Sequence, residues 1–107
     1  MAPPHFTTFR DFYPYYLREH ANPRNRVLHF VGTSLVIGLG IAAAVRGEAR
    51  LLLALPLAGY GFAWVGHFLV EKNRPATFTY PRWSLMGDFR MYGEMWIGKV
   101  SWTETLR

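Results

Sequence analysis

Two long segments without a charged side chain constrain the fold of this chain more than any other feature. They run from Val27 to Val45 and from Leu51 to Val70, and neither contains Asp, Glu, Lys or Arg. As α-helices, such segments span about 28–30 Å, which is close to the thickness of a bilayer's hydrocarbon core. We therefore predict an all-α integral membrane protein built on a helical hairpin of two spans. The alternative is a hairpin buried in the core of a soluble domain.

Amphipathic stretches flank the two predicted spans. Residues 7–20 combine a capping pattern at Thr8 and Asp11 with many aromatic side chains, which is typical of a helix at a membrane interface. Residues 84–97 carry an apolar stripe at helical spacing, made of Leu85, Phe89, Tyr92 and Trp96. We predict an interfacial helix over each stretch and a single membrane domain over residues 1–107.

The basic residues predict the orientation of the chain and the class of its partners. The net charge is +5; the turn between the spans holds only Arg46 and Arg50, whereas ten Lys and Arg residues lie on the side of the termini. By the positive-inside rule, both termini and the histidine-bearing ends of the spans face the cytoplasm. Because the basic residues flank apolar spans, we expect membrane lipid or a fatty carboxylate as a partner and no nucleic acid.

Small residues in the spans predict close packing of the two helices. Pairs spaced four apart, such as Gly40/Ala44 and Gly59/Ala63, let membrane helices approach each other. Two spans form a thin bundle that buries a polar site only in part. A homo-oligomer that buries such a site is therefore one possible assembly. The first six residues lack a basic-then-apolar signal pattern, so we expect no cleaved targeting peptide.

Three of the four histidines lie at or near the ends of the predicted spans. If the spans pair around Glu48, His29 and His67 are each nineteen residues from the turn and stand at the same depth. His20 lies nine residues before His29. Because the chain has no cysteine, a metal ion here would be held by imidazole and carboxylate groups, which favours iron, zinc or manganese. We predict His20, His29 and His67 as metal ligands.

Other assignments of these residues stay open. Glu71 or Glu19 is a candidate for a fourth ligand, and Asn25, Glu71 or Asp88 for the partner of a ligand's second ring nitrogen. The histidines could instead be structural, bonded to each other or to backbone carbonyls in a non-catalytic membrane protein. The exposed tail residue His5 is given no role.

Basic side chains beside the histidines are candidates for binding a substrate carboxylate. Arg26 and Arg74 lie at the predicted membrane surface, together with Arg24 and Lys72. Guanidinium and ammonium groups pair readily with carboxylates. The alternative role for all four is to extend to the headgroups and set the topology.

Four blocks of sequence carry a resemblance to a known family. They are Phe12-Tyr13-Pro14-Tyr15-Tyr16-Leu17-x-Glu19-His20, Arg26-x-Leu28-His29-Phe30-x-Gly32-Thr33, Gly66-His67-Phe68-x-x-Glu71-Lys72-Asn73-Arg74-Pro75-Ala76 and Pro81-x-Trp83-Ser84-Leu85-x-Gly87-Asp88. Together they resemble the 2-hydroxy-palmitate dioxygenase-like membrane family, formerly a domain of unknown function. Its studied eukaryotic members act in the breakdown of phytosphingosine to odd-chain fatty acids. The resemblance covers about Phe9 to Gly98.

The resemblance implies an enzyme that uses iron(II) and O₂ to shorten a 2-hydroxy fatty acid by one carbon. Carried over to this chain, His20, His29 and His67 are the essential histidines, and Glu71 and Lys72 are the acidic–basic pair after the third, which makes them the catalytic candidates. A 2-hydroxy carboxylate offers two oxygens to one metal, and three imidazoles leave positions open for it and for O₂. The implied cofactor is Fe²⁺; the alternative is zinc, serving a lipid hydrolase on the same ligands.

Overall fold

The computed structural model describes residues 5–106, which form helices and turns without a strand. Four α-helices carry the fold: α1 (Phe9–Arg18), α2 (Pro23–Arg46), α3 (Leu55–Val65) and α4 (Pro81–Trp96). A 3₁₀ turn at Ala49–Ala54 precedes α3, and a π-helical turn at Gly66–Glu71 follows it. The all-α prediction is confirmed over these residues. The expectation about a targeting peptide falls partly on residues 1–4, outside them, and the single domain over 1–107 stays a prediction.

Local capping sets where the first two helices begin and end. The Thr8 hydroxyl accepts from the Asp11 amide at 3.1 Å, so α1 starts at Phe9, later than the predicted residue 7. The Asn22 side chain caps α2 in the same way, with Pro23 in its first turn. Gly47 ends α2 in the left-handed conformation, with φ 65°, which only glycine adopts without strain. α2 therefore extends beyond the predicted charge-free span at both ends.

The two apolar helical segments pair as the predicted hairpin. Pro23–Arg46 and Ala49–Glu71 are each long and apolar enough to cross a membrane, and only 17% of the most apolar window of each is buried inside the protein. Core helices of soluble domains are mostly buried, so the alternative of a buried core hairpin does not match this exposure. Large side chains such as Leu53, Leu57 and Val45 project outward, each more than three-quarters exposed.

The two helices of the hairpin approach each other closely at Gly32. A Cβ atom there would lie 2.9 Å from the Ala58 carbonyl oxygen and 3.1 Å from the Phe62 Cβ. At Gly40 a Cβ would meet nothing within 4 Å, so the prediction of close packing at that position is wrong. Small residues show where membrane helices are able to approach, but neighbouring side chains decide where they do.

Helices α1 and α4 pack against each other on an aromatic core. Phe12 and Tyr16 of α1 are buried with Met91 and Met95 of α4. The stripe predicted from the sequence lies on another part of α4, where three of its members stay exposed: Leu85 (58%), Phe89 (43%) and Trp96 (65%). α4 is therefore apolar on two sides, one toward α1 and one toward the surroundings, as suits a helix at an interface.

Replacing Gly32 by leucine should destabilise the hairpin by about 1–3 kcal/mol, because the added side chain meets the α3 backbone. Thermal unfolding in detergent micelles measures the change. Gly38→Leu is the matched control, since a Cβ at Gly38 would meet nothing within 4 Å. Equal melting temperatures for the two variants would contradict the packing described here.

Candidate metal centre

Three histidines from separate parts of the chain meet in the interior. His20 follows α1, His29 lies in the second turn of α2, and His67 lies in the π-helical turn after α3. Their exposed fractions are 1%, 5% and 2%. The Nε2 atom of His20 lies 3.1 Å from that of His29 and 3.0 Å from that of His67. The predicted convergence of these rings is confirmed.

Each of the three rings is oriented through its other nitrogen. Nδ1 of His20 bonds the Tyr16 carbonyl oxygen at 2.6 Å, and Nδ1 of His29 bonds the Asn25 carbonyl oxygen at 3.0 Å. Nδ1 of His67 bonds the Asn73 side-chain oxygen at 2.7 Å. All three partners are acceptors, so each Nδ1 carries the proton and donates it. In a neutral ring, the Nε2 atom then holds a free lone pair.

The facing Nε2 atoms are therefore acceptors without a shared proton. Burial, together with the neighbouring His29 and His67 rings, holds the pKa of His20 well below its usual range, which keeps that ring neutral at physiological pH. Two lone pairs at 3.0–3.1 Å do not form a hydrogen bond. A cation between them satisfies both. Imidazole nitrogens that bind one ion at about 2.0–2.1 Å lie within about 4.2 Å of each other, and the two distances from the His20 Nε2 atom meet this limit.

The residues present thus fit a metal ion. The candidate ligand atoms of His20, His29 and His67 all lie within 4.8 Å of one another. Carboxylates are not part of this group among residues 5–106, so the donor set is three neutral imidazoles. Such a set binds iron, zinc and copper alike, and leaves coordination positions for other ligands.

The end of the second apolar segment is shaped to orient His67. After the π-helical turn, Lys72 takes the left-handed conformation (φ 58°), and the Asn73 amide returns to the His67 carbonyl at 2.9 Å. The Asn73 side chain then accepts from His67 and donates to the Glu19 carbonyl at 2.9 Å. π-helical turns often occur at functional sites. This one gives His67 and His20 a common anchor in Asn73, because Glu19 directly precedes His20.

Helix α4 supports His20 through Tyr16. The Tyr16 ring stacks on the His20 ring with centroids 4.0 Å apart, and its hydroxyl donates to Asp88. A Cβ at Gly87 would lie 3.0 Å from the Tyr16 ring, so the glycine makes room for it. Burial raises the pKa of the Asp88 carboxyl to about 7, against the lowering effect of the Tyr16 hydrogen bond. The block that contains Gly87 and Asp88 is thereby part of the support of the site.

A small chamber lies beside the three histidines. Its volume is about 20 Å³, room for about one water-sized group, and Ser84 and Asp88 line it with the histidines. The Ser84 side chain is buried, and its hydroxyl has no hydrogen-bond partner within residues 5–106. A buried hydroxyl of this kind is costly unless another molecule supplies a partner.

Glu71 and Lys72 do not enter the histidine group. The Glu71 carboxylate accepts from the Asn22 amide at 2.5 Å and from the Asn25 side chain at 3.4 Å. It therefore links the end of the second apolar segment to the start of α2. Lys72 is exposed at the helix end. The Glu19 side chain contacts the Tyr15 hydroxyl at 3.4 Å and is likewise outside the histidine group.

The predicted carboxylate-binding arginines occupy very different surroundings. Arg74, like Arg24, is exposed, and the guanidinium of Arg74 lies 5.2 Å from the centre of the Phe78 ring. Arg26 is fully buried, and its guanidinium donates to the backbone carbonyls of four residues: His20, Ala21, Ser101 and Glu104. This placement does not fit the predicted role of Arg26, because four of its five N–H groups are engaged. Arg26 instead joins the segment after α4 to the turn that carries His20.

Three residues that shape the site were not singled out from the sequence. Tyr16 lies four residues before His20, a helical spacing from which its backbone contact was predictable. Asn73 had no such signal, because its position depends on the π-helical turn and the left-handed residue before it. Ser84 reaches the chamber only through the packing of α4.

A family model matches most of the chain. The model described as 2-hydroxy-palmitic acid dioxygenase Mpo1-like matches residues 6–100 of the 107. The matched range contains the three buried histidines, Asn73 and the Tyr16–Asp88 pair. No curated protein and no solved structure matches the chain.

Asn73→Ala should weaken metal binding by about 10–100-fold, because the His67 ring loses the acceptor that fixes its tautomer. Asn73→Asp keeps the acceptor for His67 but loses the donor to the Glu19 carbonyl, so its affinity should lie between those of the wild type and the alanine variant. Competition with a chromophoric chelator measures both affinities in detergent. Weaker binding in the aspartate variant than in the alanine variant, or full binding in the alanine variant, would contradict this role of Asn73.

Proposed function

Because this chain belongs to the 2-hydroxy-palmitic acid dioxygenase Mpo1-like family, we propose that it is a membrane-embedded iron(II) oxygenase that acts on 2-hydroxy fatty acids. The resemblance seen in the four sequence blocks is confirmed by the family match. The observation that carries the proposal is the group of three buried Nε2 lone pairs of His20, His29 and His67. Each of these atoms is free to bind iron because its ring is anchored through Nδ1.

The proposed reaction shortens the acid by one carbon. One 2-hydroxy fatty acid and one O₂ give the next shorter fatty acid, CO₂ and water, which balances in atoms. Iron(II) held by His20, His29 and His67 would supply the reaction with O₂ and would act as a Lewis acid toward the 2-hydroxy carboxylate. The chain supplies three imidazole ligands and a small chamber with room for about one water-sized group.

Polar groups around the chamber orient the head of the substrate in this proposal. The Ser84 hydroxyl, which lacks a partner within the described part of the chain, donates to a substrate oxygen. Asp88 accepts from Tyr16 and so holds the tyrosine whose carbonyl orients His20. Each of these side chains is held in place by its helix, so the polar groups are already oriented before the substrate binds.

The predicted catalytic pair takes separate roles in the proposal. Glu71 keeps the two apolar segments in register through Asn22 and Asn25, and thereby positions His29 and His67 relative to each other. The exposed cations Lys72 and Arg74 attract the substrate carboxylate toward the site. Arg26 acts as a positioning residue through the carbonyl of His20.

In the proposed topology the protein spans a membrane, with both termini and the histidine site on the cytoplasmic side. The low burial of the two apolar windows supports insertion into lipid. The larger number of basic residues on the side of the termini supports the orientation. A homo-oligomer and the absence of a nucleic-acid partner stay predictions.

Protein purified without air should contain about one iron per chain and consume O₂ with 2-hydroxypalmitic acid, releasing pentadecanoic acid. Palmitic acid, which lacks the hydroxyl, should support no O₂ uptake. His20→Ala and His67→Ala should each lose the metal and the activity, because two ligands remain. An oxygen electrode, gas chromatography of the products and elemental analysis measure these outcomes.

His5→Ala is the matched control for the histidine variants, since His5 is exposed and is not part of the group. A well-folded wild type without metal would support structural histidines instead. Bound zinc without O₂ uptake, but with cleavage of a lipid ester, would support the hydrolase.

The orientation is testable because the chain has no cysteine of its own. Single cysteines at Ala49 and Thr105, both exposed positions that carry no charge, should react with an impermeant maleimide from opposite sides of the membrane. In inside-out vesicles only Thr105→Cys should be labelled, and in right-side-out vesicles only Ala49→Cys. Labelling of both from one side would contradict the two-span topology.

A further inference from the structure

An apolar groove runs along the hairpin beside the histidines. It has a volume of about 210 Å³ and lies between α2, α3 and α4. The residues that line it include Thr33, Val36, Leu55, Pro56, Leu85 and Phe89. Leu85 and Phe89 are 58% and 43% exposed, so the groove is open along one side. The outward surface around it is the apolar surface of the proposed membrane spans.

The groove adjoins the histidine chamber. His29, Tyr60 and Asp88 line both spaces. The chamber has a volume of about 20 Å³, whereas the groove has about 210 Å³. A ligand that occupies both therefore places a small polar end at the histidines and a larger apolar part in the groove.

The direction of the groove follows α2. His29, Thr33 and Val36 lie at i, i+4 and i+7, so they form one stripe about 10 Å long. The stripe changes from imidazole to hydroxyl to isopropyl as it leaves the chamber. In the proposed topology this direction is toward the middle of the bilayer.

We infer that this groove binds the acyl chain of the substrate, with the 2-hydroxy carboxylate in the histidine chamber. This inference rests on the proposed function. A narrow apolar space that begins at the metal centre and opens sideways to lipid suits a single unbranched chain. The acid can enter laterally from the membrane without passing through water.

Gly59 sets the width of the groove. A Cβ atom at this position would lie 3.4 Å from the Val36 side chain across the groove, which is ordinary contact. A larger side chain at Gly59 would therefore press on the Val36 side chain and narrow the groove. Gly61, two residues along the same helix, would meet nothing within 4 Å and lines neither space.

Gly59→Leu should change the chain-length preference of the enzyme. Relative to the wild type, the ratio of kcat/KM for 2-hydroxypalmitic acid to kcat/KM for 2-hydroxyoctanoic acid should fall by about tenfold, because the leucine occupies space that the longer chain needs. Gly61→Leu should leave the ratio unchanged. A parallel loss for both substrates in Gly59→Leu, or an unchanged ratio, would overturn the inference.

A binding measurement separates this inference from the proposed reaction. A 2-hydroxy fatty acid with a diazirine near the end of its chain is photolysed with the full chain in lipid nanodiscs. Peptide mapping should place the crosslinks near Val36 and Leu55, and 2-hydroxypalmitic acid should compete better than palmitic acid. Crosslinks in the groove without O₂ uptake would support the acyl-chain site and contradict the oxygenase activity. O₂ uptake without these crosslinks would support the activity and overturn the inference. Equal competition by a phospholipid would show that the groove binds membrane lipid and would also overturn the inference.

Discussion

The hydrogen bonds from the three histidine Nδ1 atoms are the interactions on which the rest of the site depends. Each one fixes a tautomer, and together they turn three Nε2 lone pairs toward one point in the interior. Without them, the rings could bond one another through a shared proton and the cluster would be an ordinary polar contact. The acceptors come from three places, the carbonyls of Tyr16 and Asn25 and the side chain of Asn73, so the folded chain as a whole defines the centre.

Part of this arrangement was predictable from spacing alone. His29 and His67 are equally distant from the turn, and paired antiparallel helices bring such positions to the same depth. The contact of their rings, with centroids 5.0 Å apart, follows from that geometry. His20 was harder to place, because the turn after α1 and the stacking on Tyr16 decide its position. Only the resemblance to a family groups His20 with His29 and His67 at the level of sequence.

Long-range contacts and irregular backbone conformations could not be predicted from local sequence patterns. Arg26 reads as a surface charge because it precedes an apolar span, but residues 75 and 78 positions later supply carbonyls that bury it. Asn73 is aligned by a π-helical turn and a left-handed lysine, which periodicity does not reveal. The apolar stripe on α4 was visible in the sequence. The sequence did not show which side of α4 packs against α1, because the helix has a second apolar side. Contacts between residues so far apart in sequence depend on the packing of the whole chain.

The facing lone pairs carry a consequence for the life of the protein in a cell. Three neutral acceptors in a buried space repel one another when no cation lies between them, and two of them are only 3.0 Å apart. Binding of an ion is therefore coupled to folding, because the ion removes this repulsion only in the native arrangement. A cell that runs short of the metal would lose the polypeptide to quality control as well as its chemistry, so the abundance of the protein would follow the metal supply.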